Sequence, residues 1–327
     1  LMPRLKSFLL FCLVVGIIIS RGLVSDKKDL PVIAIANYGP HSSLFESIRG
    51  IRDGLAKKGL IDGKNVSFEI VDVNFDTSLI MQMMSKIKAA KPKVIVAIST
   101  PVTQAAKNMV QDIPVIFMDI TDPVDAGILL QPNQPNGNIT GASDKQDLDL
   151  VVKFAKSLAP TVKRIGMLYS TGEANDMSLL KNMTIAAQAN NVSLVALPVV
   201  SVRDVDVRMH QFKDKVDLIY VGSSGIVQPS LPTIVSIAEK MNIPVLNMNA
   251  EEVIDGNVLA SYGVSFYKVG LSAAELVYQI FDNVAVSNIR PLYPSSNDHE
   301  AFVSKKRLEE IDFKIPDSAL KSITLVD

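Results

Sequence analysis

The sequence predicts an α/β protein built as two similar lobes, each a parallel sheet covered by helices on both faces. Three observations predict it. Short runs rich in Val and Ile, apolar at every position, alternate with longer amphipathic segments, the pattern of strands buried on both faces between helices. The order restarts midway. "VIVAIST…DIPVIFMD" (94–119) is answered by "LIYVGSS…NIPVLNMN" (218–249), each a strand, a hydroxyl-rich loop, a helix and an Ile-Pro-Val strand. Finally, a Pro-, Asn- and Gly-rich stretch, "QPNQPNGNITGASD" (131–144), separates the halves and is expected to be a connection with no element of its own.

The elements follow in order. "PVIAIAN" (31–37) reads as a strand, and 43–59 as a helix with Leu44, Ile48, Ile51 and Leu55 on one face and Gly59 at its end. "KNVSFEIVDV" (64–73) alternates Val66, Phe68 and Ile70 as a strand. A helix over 76–90 takes Asp76 or Thr77 as its cap, and its Met81, Met83 and Met84 are read as packing residues. Strands at 93–98 and 113–119 complete the first half. The second half gives strands at 163–170, 192–199, 217–222 and 243–249, with helices from about 176, 203 and 230 between them. "LASYGVS" (259–265) then leads to a helix over 266–284, with Val269, Ala273, Leu276, Val277 and Ile280 on one face. The tail carries a short helix near 305–310 and another opened by Pro316. A second copy followed by extra elements predicts that the chain crosses back to finish the first lobe.

The 327 residues suffice for two cores. A net charge of −1 with no basic stripe excludes nucleic acid as the expected partner. Arg4 and Lys6 precede an apolar run, Phe8–Ile19, too short to span a bilayer comfortably, and Ser20-Arg21-Gly22 offers a small-x-small cleavage pattern. Residues 1–25 are read as a signal peptide, with an uncleaved membrane anchor as the alternative. Cys12, in that run, is the sole cysteine. The processed chain would have no disulfide, no thiol nucleophile and no cysteine metal site.

No dinucleotide, phosphate-loop, nucleophile-elbow or zincin pattern is present, so no enzyme is expected, and neither a cofactor nor a metal. His210 and His299 are read as surface residues. In open parallel sheets ligands bind beyond the carboxyl ends of strands. Those ends carry Tyr38 and His41, then Ser99 and Thr100, then Asp119 and Asp122. In the second half they carry Ser170, Glu173, Ala174 and Asn175, then Ser223 and Ser224, then Asn249. Thr100 precedes Pro101 and is placed as the N-cap of the next helix, whose unpaired N–H groups suit a carboxylate. Ser143 and Asp144 close the connection, and Tyr262 lies in the last strand before the return helix. All sixteen are candidate ligand-binding residues.

"GLIDGKNVSFEI", "AISTPVTQAAKN", "IPVIFMDITDPVDAG", "NITGASD", "LYSTGEAND", "IYVGSSGIVQPS" and "SYGVSFYKVG" resemble, in order and spacing, the substrate-binding proteins of bacterial ABC importers of the tryptophan-binding type. The resemblance runs from about residue 30 to the tail. It implies a periplasmic-binding-protein type I fold: two Rossmann-like lobes joined by hinge crossovers, with a small ligand, often an aromatic amino acid or similar carboxylate, in the cleft. Ser99, Thr100, Pro101 and Val102 then correspond to a segment that holds a carboxylate, and Thr171 to Asn175 to the family's Ser-Gly-Glu-Ala-Asn. Ser223, Ser224 and Gly225 stand where the family commonly has Thr-Asp-Asn, so an α-amine must find another acid. Glu173 is preferred, with Asp119, Asp122 and Asp144 as the other candidates. Since there is no Trp, stacking falls to Tyr38, Tyr169, Tyr262 or His41. The expected organisation is an N-terminal lobe of 30–140 plus 263–290, a C-terminal lobe of 141–262, and a tail, 291–327, packed on the lobes. The expected role is a periplasmic monomer that presents a small molecule to an ABC permease. A sensor of the same fold that docks on a membrane receptor is the alternative.

Overall fold

The computed structural model describes residues 30–327. The signal peptide read in residues 1–25 lies outside them. Among the described residues no helix is long and apolar enough to cross a membrane.

The first sheet contains β1 (Val32–Asn37), β2 (Ser67–Asp72), β3 (Val94–Ile98), β4 (Val115–Met118) and β5 (Ile139–Ala142) in the order β2-β1-β3-β4-β5, all parallel. Every residue of β3 and β4 is buried, as strands apolar on both faces require. Helices α1 (Ser42–Lys57), α2 (Ile80–Ala89) and α3 (Thr100–Met109) cover this sheet. Strand β5 corrects the expectation that 131–144 holds no element. Asn-Ile-Thr-Gly-Ala lacks the Val/Ile density of the other strands. Two contacts secure the strand instead. The Asn138 amide donates to the carbonyls of Val110 and Ile113. Gly141 lets the backbone pass Phe117, whose carbonyl oxygen would lie 2.2 Å from a Cβ there.

The second sheet has β6 (Arg164–Ser170), β7 (Ser193–Val199), β8 (Leu218–Val221), β9 (Val245–Asn247), β10 (Ala260–Val264), β11 (His299–Ser304) and β12 (Thr324–Val326). Its order is β12-β11-β10-β9-β8-β6-β7, parallel except where β11 runs against β10. Helices α4 (Leu148–Leu158), α5 (Ala174–Ala189), α6 (Val202–His210), α7 (Leu231–Lys240) and α8 (Ala250–Ile254) belong to this half. The segment after residue 290 does more than lie on the surface, since it threads two strands into the second sheet with α10 (Lys305–Glu310) between them.

Helix α9 (Phe266–Phe281) returns to the first sheet's core, where Val269, Ala273, Leu276, Val277 and Ile280 are buried. It lies directly on α1. A Cβ on Gly270 would sit 2.2 Å from the Ser47 carbonyl, and one on Gly50 2.2 Å from the Tyr267 carbonyl. The chain thus crosses between sheets after β5, after β10 and before β11. The first and third crossings run side by side, joined by Leu292 N–H to Gly141 O and Ser143 N–H to Leu292 O. Short paired crossings of this kind form a hinge.

Candidate ligand-binding cleft

The carboxyl ends of both sheets face one cleft. It gathers Tyr38, His41, Ser99, Thr100, Asp119 and Asp144 from the first sheet and its crossing. From the second it gathers Glu173, Asn175, Ser223, Ser224 and Asn249.

One pole is the start of α3. Ser99, not Thr100, is the N-cap: its backbone is at φ +76°, ψ 156°, and its side chain makes no capping bond. Thr100 is the first helical residue, which corrects the cap assignment. The shift leaves both hydroxyls available to the cleft. They sit beside first-turn N–H groups that have no partner within the helix.

The remaining polar groups are acids and amides. Asp119 leaves β4 at φ +57° and is held by Ser47, whose hydroxyl donates to Oδ1 at 2.9 Å. Burial, reinforced by the neighbouring Asp144, pushes its carboxyl well above the usual range. Burial likewise pushes Asp144 up to about 7. Glu173 is also raised by burial, but its Oε2 accepts the Gly225 N–H at 2.9 Å and the Asn175 amide at 3.4 Å. Asn175 also donates to the Ser223 carbonyl, tying the two loops of the second lobe together.

The lobes touch around this cleft. Thr121 and Ser223 hydroxyls meet at 2.8 Å, and Ser178 donates to Asp125 at 3.1 Å. Lys181 pairs with Asp125 at 3.0 Å, and Ser42 donates to Glu252 at 3.3 Å. His41 lies 3.6 Å from Glu252; burial lowers its pKa, which favours the neutral ring. Gly225 is pressed against the first lobe, where a Cβ would lie 2.6 Å from the Tyr38 ring. The arrangement is therefore closed.

The structure keeps five expected residues off the cleft wall. Asp122 turns to Lys145 at 2.7 Å and accepts the N–H groups of Val124 and Asp125, so it shapes its own turn. Ser143 donates to the Ile120 carbonyl at 2.6 Å and belongs to the crossing. Ser170 gives its N–H to the buried Asp176. Ala174 packs against the first lobe's core. Tyr262 points into the second lobe, 5.3 Å from Phe154 and stacked 5.6 Å from His299, and Tyr169 packs in the same core. That stack also corrects the surface reading of His299, whose Nε2 accepts the Asp147 N–H at 3.1 Å. His210 is exposed.

The aromatic wall is Tyr38, set edge-on to Phe75 at 5.4 Å, with Phe266 beside them. Sequence reasoning missed Phe75, Thr121, Gln228, Met248 and Phe266. Phe75 was within reach: it follows β2, and the strand-end rule applied to the other strands covers it. Phe266 was equally within reach, since it stands two residues past the carboxyl end of β10.

Residues 32–326 match the family described as ABC transporter substrate binding protein, and the chain belongs to that family. Its two parallel-sheet lobes are those of a type I periplasmic binding protein, and the family is one of binding proteins, not enzymes. It is 29% identical over 290 residues to a tyrosine-binding protein of Clostridioides difficile, covering 89% of this chain and 83% of that one. It is similar to a Streptococcus pneumoniae ABC domain in complex with L-Trp, with a TM-score of 0.86 and 27% identity over 91% of this chain and all of the other. Against the ligand-free, open structure of a Clostridium difficile substrate binding protein with adhesive properties, the TM-score is 0.70 at 28% identity, over 91% of this chain and 99% of that one. Near-equal identity with a lower score against the open form agrees with the lobe contacts: the lobes here are closed.

Proposed function

We propose that this protein captures a free amino acid, or a closely related small carboxylate, between its lobes outside the cytoplasm and delivers it to an ABC importer. The observation that carries this reading is the polarity of the closed cleft. At one end Ser99, Thr100 and the α3 N-terminus offer donors to a carboxylate; across the lobe boundary Glu173 offers an acid to an amine. Tyr38, Phe75 and Phe266 supply the apolar wall between them. Relatives named for tyrosine and tryptophan binding support an amino acid as the ligand class. Closure supplies contacts that exist only when both lobes meet, so a ligand bridging them shifts the population toward the closed state.

The test is native mass spectrometry of ligand carried through purification, followed by calorimetric titration of the free protein with the common amino acids. At least one should bind with a dissociation constant at or below the micromolar range. Absence of heat with every one of them would refute the amino-acid assignment.

A further inference from the structure

Three carboxylates line the cleft, Asp119, Asp144 and Glu173, and no lysine or arginine among the described residues lines it with them. Glu173 spends only Oε2 on Gly225 and Asn175, which leaves Oε1 for an α-amine. The other two carboxylates are not fully engaged either. Asp119 Oδ2, Asp144 Oδ1 and the Asn249 amide oxygen are buried and have no hydrogen-bond partner in the protein. The three residues are only 6%, 3% and 2% exposed. All three free atoms are acceptors. They come from the ends of β4, β5 and β9, so both lobes contribute. Ser47 fixes one oxygen of Asp119 and leaves the other free.

Buried acceptors left unpaired are costly, and two neighbouring carboxylates cannot both stay ionised without a cation. An amino acid with one amine, placed on Glu173, leaves these three atoms unmet. We infer that Asp119, Asp144 and Asn249 form a second cation subsite, and that the cleft selects a solute carrying two amino groups, such as a diamino carboxylic acid. The inference rests on the proposed reading of the cleft, with Glu173 taking the α-amine. An ammonium has three donors, and three free acceptors stand here. The aromatic wall suits the alkyl stem and the cationic head alike.

The test is calorimetry near pH 7.5 on the purified protein freed of carried ligand, with L-lysine, L-ornithine, L-norleucine, L-tyrosine and putrescine as probes. Lysine or ornithine should bind about tenfold or more tightly than norleucine, which has the stem without the second amine. Asp119→Asn and Asp144→Asn, both isosteric, should each bring that ratio near one, and melting curves check that they fold. Norleucine or tyrosine binding as tightly as both diamino acids would overturn the subsite while leaving the amino-acid reading intact. So would a ratio that neither asparagine variant alters. Putrescine binding with no amino acid bound would uphold the subsite and overturn the amino-acid reading. Silence from all five would overturn both.

Discussion

Two neighbouring strand ends carry left-handed, non-glycine backbone: Ser99 at φ +76° and Asp119 at φ +57°. Ser99 lies where side-chain-bearing residues rarely sit, at a cost of about 1–3 kcal/mol, and such strain concentrates at ligand clamps. The strain places the Ser99 and Thr100 hydroxyls at the start of α3. Because Thr100 caps nothing, its hydroxyl has no cap stability to lose. Thr100→Ala should weaken ligand binding on the order of tenfold, as loss of a charge-assisted hydrogen bond of roughly 1.5–3 kcal/mol implies. Its melting temperature should stay close to the parent's. A lower melting temperature with unchanged affinity would make the residue purely structural. A second consequence concerns pH. Asp119 and Asp144 face Ser47 from α1, Glu251 from α8 and Tyr220 from β8, and none of these supplies a positive charge. Burial raises both acids, so between the ordinary carboxylate range and about 7 the folded chain holds protons that the unfolded chain releases. Stability of the ligand-free protein should therefore fall as pH rises through that window, by up to about 1.4 kcal/mol per pH unit for one such group. Asp122 and Asp217, whose pKa values are lowered, act below that range, and His41, lowered by burial, opposes the slope only below the ordinary imidazole value of about 6.5. Melting curves from about pH 6.5 to about pH 8 check the slope, and Asp144→Asn should flatten it; a rising melting temperature over that range would contradict the argument.

Helices and central strands were legible because each carries one signal that survives any context, an apolar stripe at helical period or a run of buried Val and Ile. Strand β5 was not, because its identity comes from Asn138 and from the close pass at Gly141, both long-range contacts. Most cleft residues were found by one rule, that strand ends bind. The rule also named Asp122 and Ser170, which lie at strand ends but spend side-chain oxygens on local backbone N–H groups. Strand-end position is written in sequence, whereas the direction of a side chain depends on the partner it finds. The α1–α9 contact shows the same limit. The periodicity of 266–284 marks a buried face, yet nothing local says which helix covers it. The glycines do: Gly50 and Gly270 let backbones touch where a methyl would meet a carbonyl oxygen at 2.2 Å. Gly270→Ala would gain roughly 1 kcal/mol of helix propensity. The clash is with backbone that cannot turn aside, so overpacking of about 1–3 kcal/mol or more should win. A melting temperature lowered by several degrees, with ligand affinity nearly intact, is expected. A rise would mean the helices separate freely.

At the scale of the whole molecule, function is an equilibrium between open and closed lobes, and each interlobe contact contributes to it. The Lys181–Asp125 pair is more than half exposed on the lysine side and contributes little. The Thr121–Ser223 hydrogen bond is better shielded, but its hydroxyls can turn to water when the lobes part. Gly225 is different, because its role is steric. Closure brings it against Tyr38, leaving no space for a Cβ: the Tyr38 ring would lie 2.6 Å away and its hydroxyl 2.9 Å. Its own backbone does not demand glycine, since its φ lies outside the left-handed region. Gly225→Ala should therefore leave each lobe folded and the open state unstrained, while the closed state must displace a buried tyrosine or stop short. A ligand that binds only by closing the lobes then loses affinity by the cost of that displacement, at least about 1.4 kcal/mol for a tenfold loss. Small-angle scattering with saturating ligand should show the parent contracting and the variant remaining extended, with equal melting temperatures for the two ligand-free proteins. Full contraction of the variant at parental affinity would mean that Tyr38 yields without cost. Closure would then rest on the peripheral contacts instead of on the fit at the centre of the cleft.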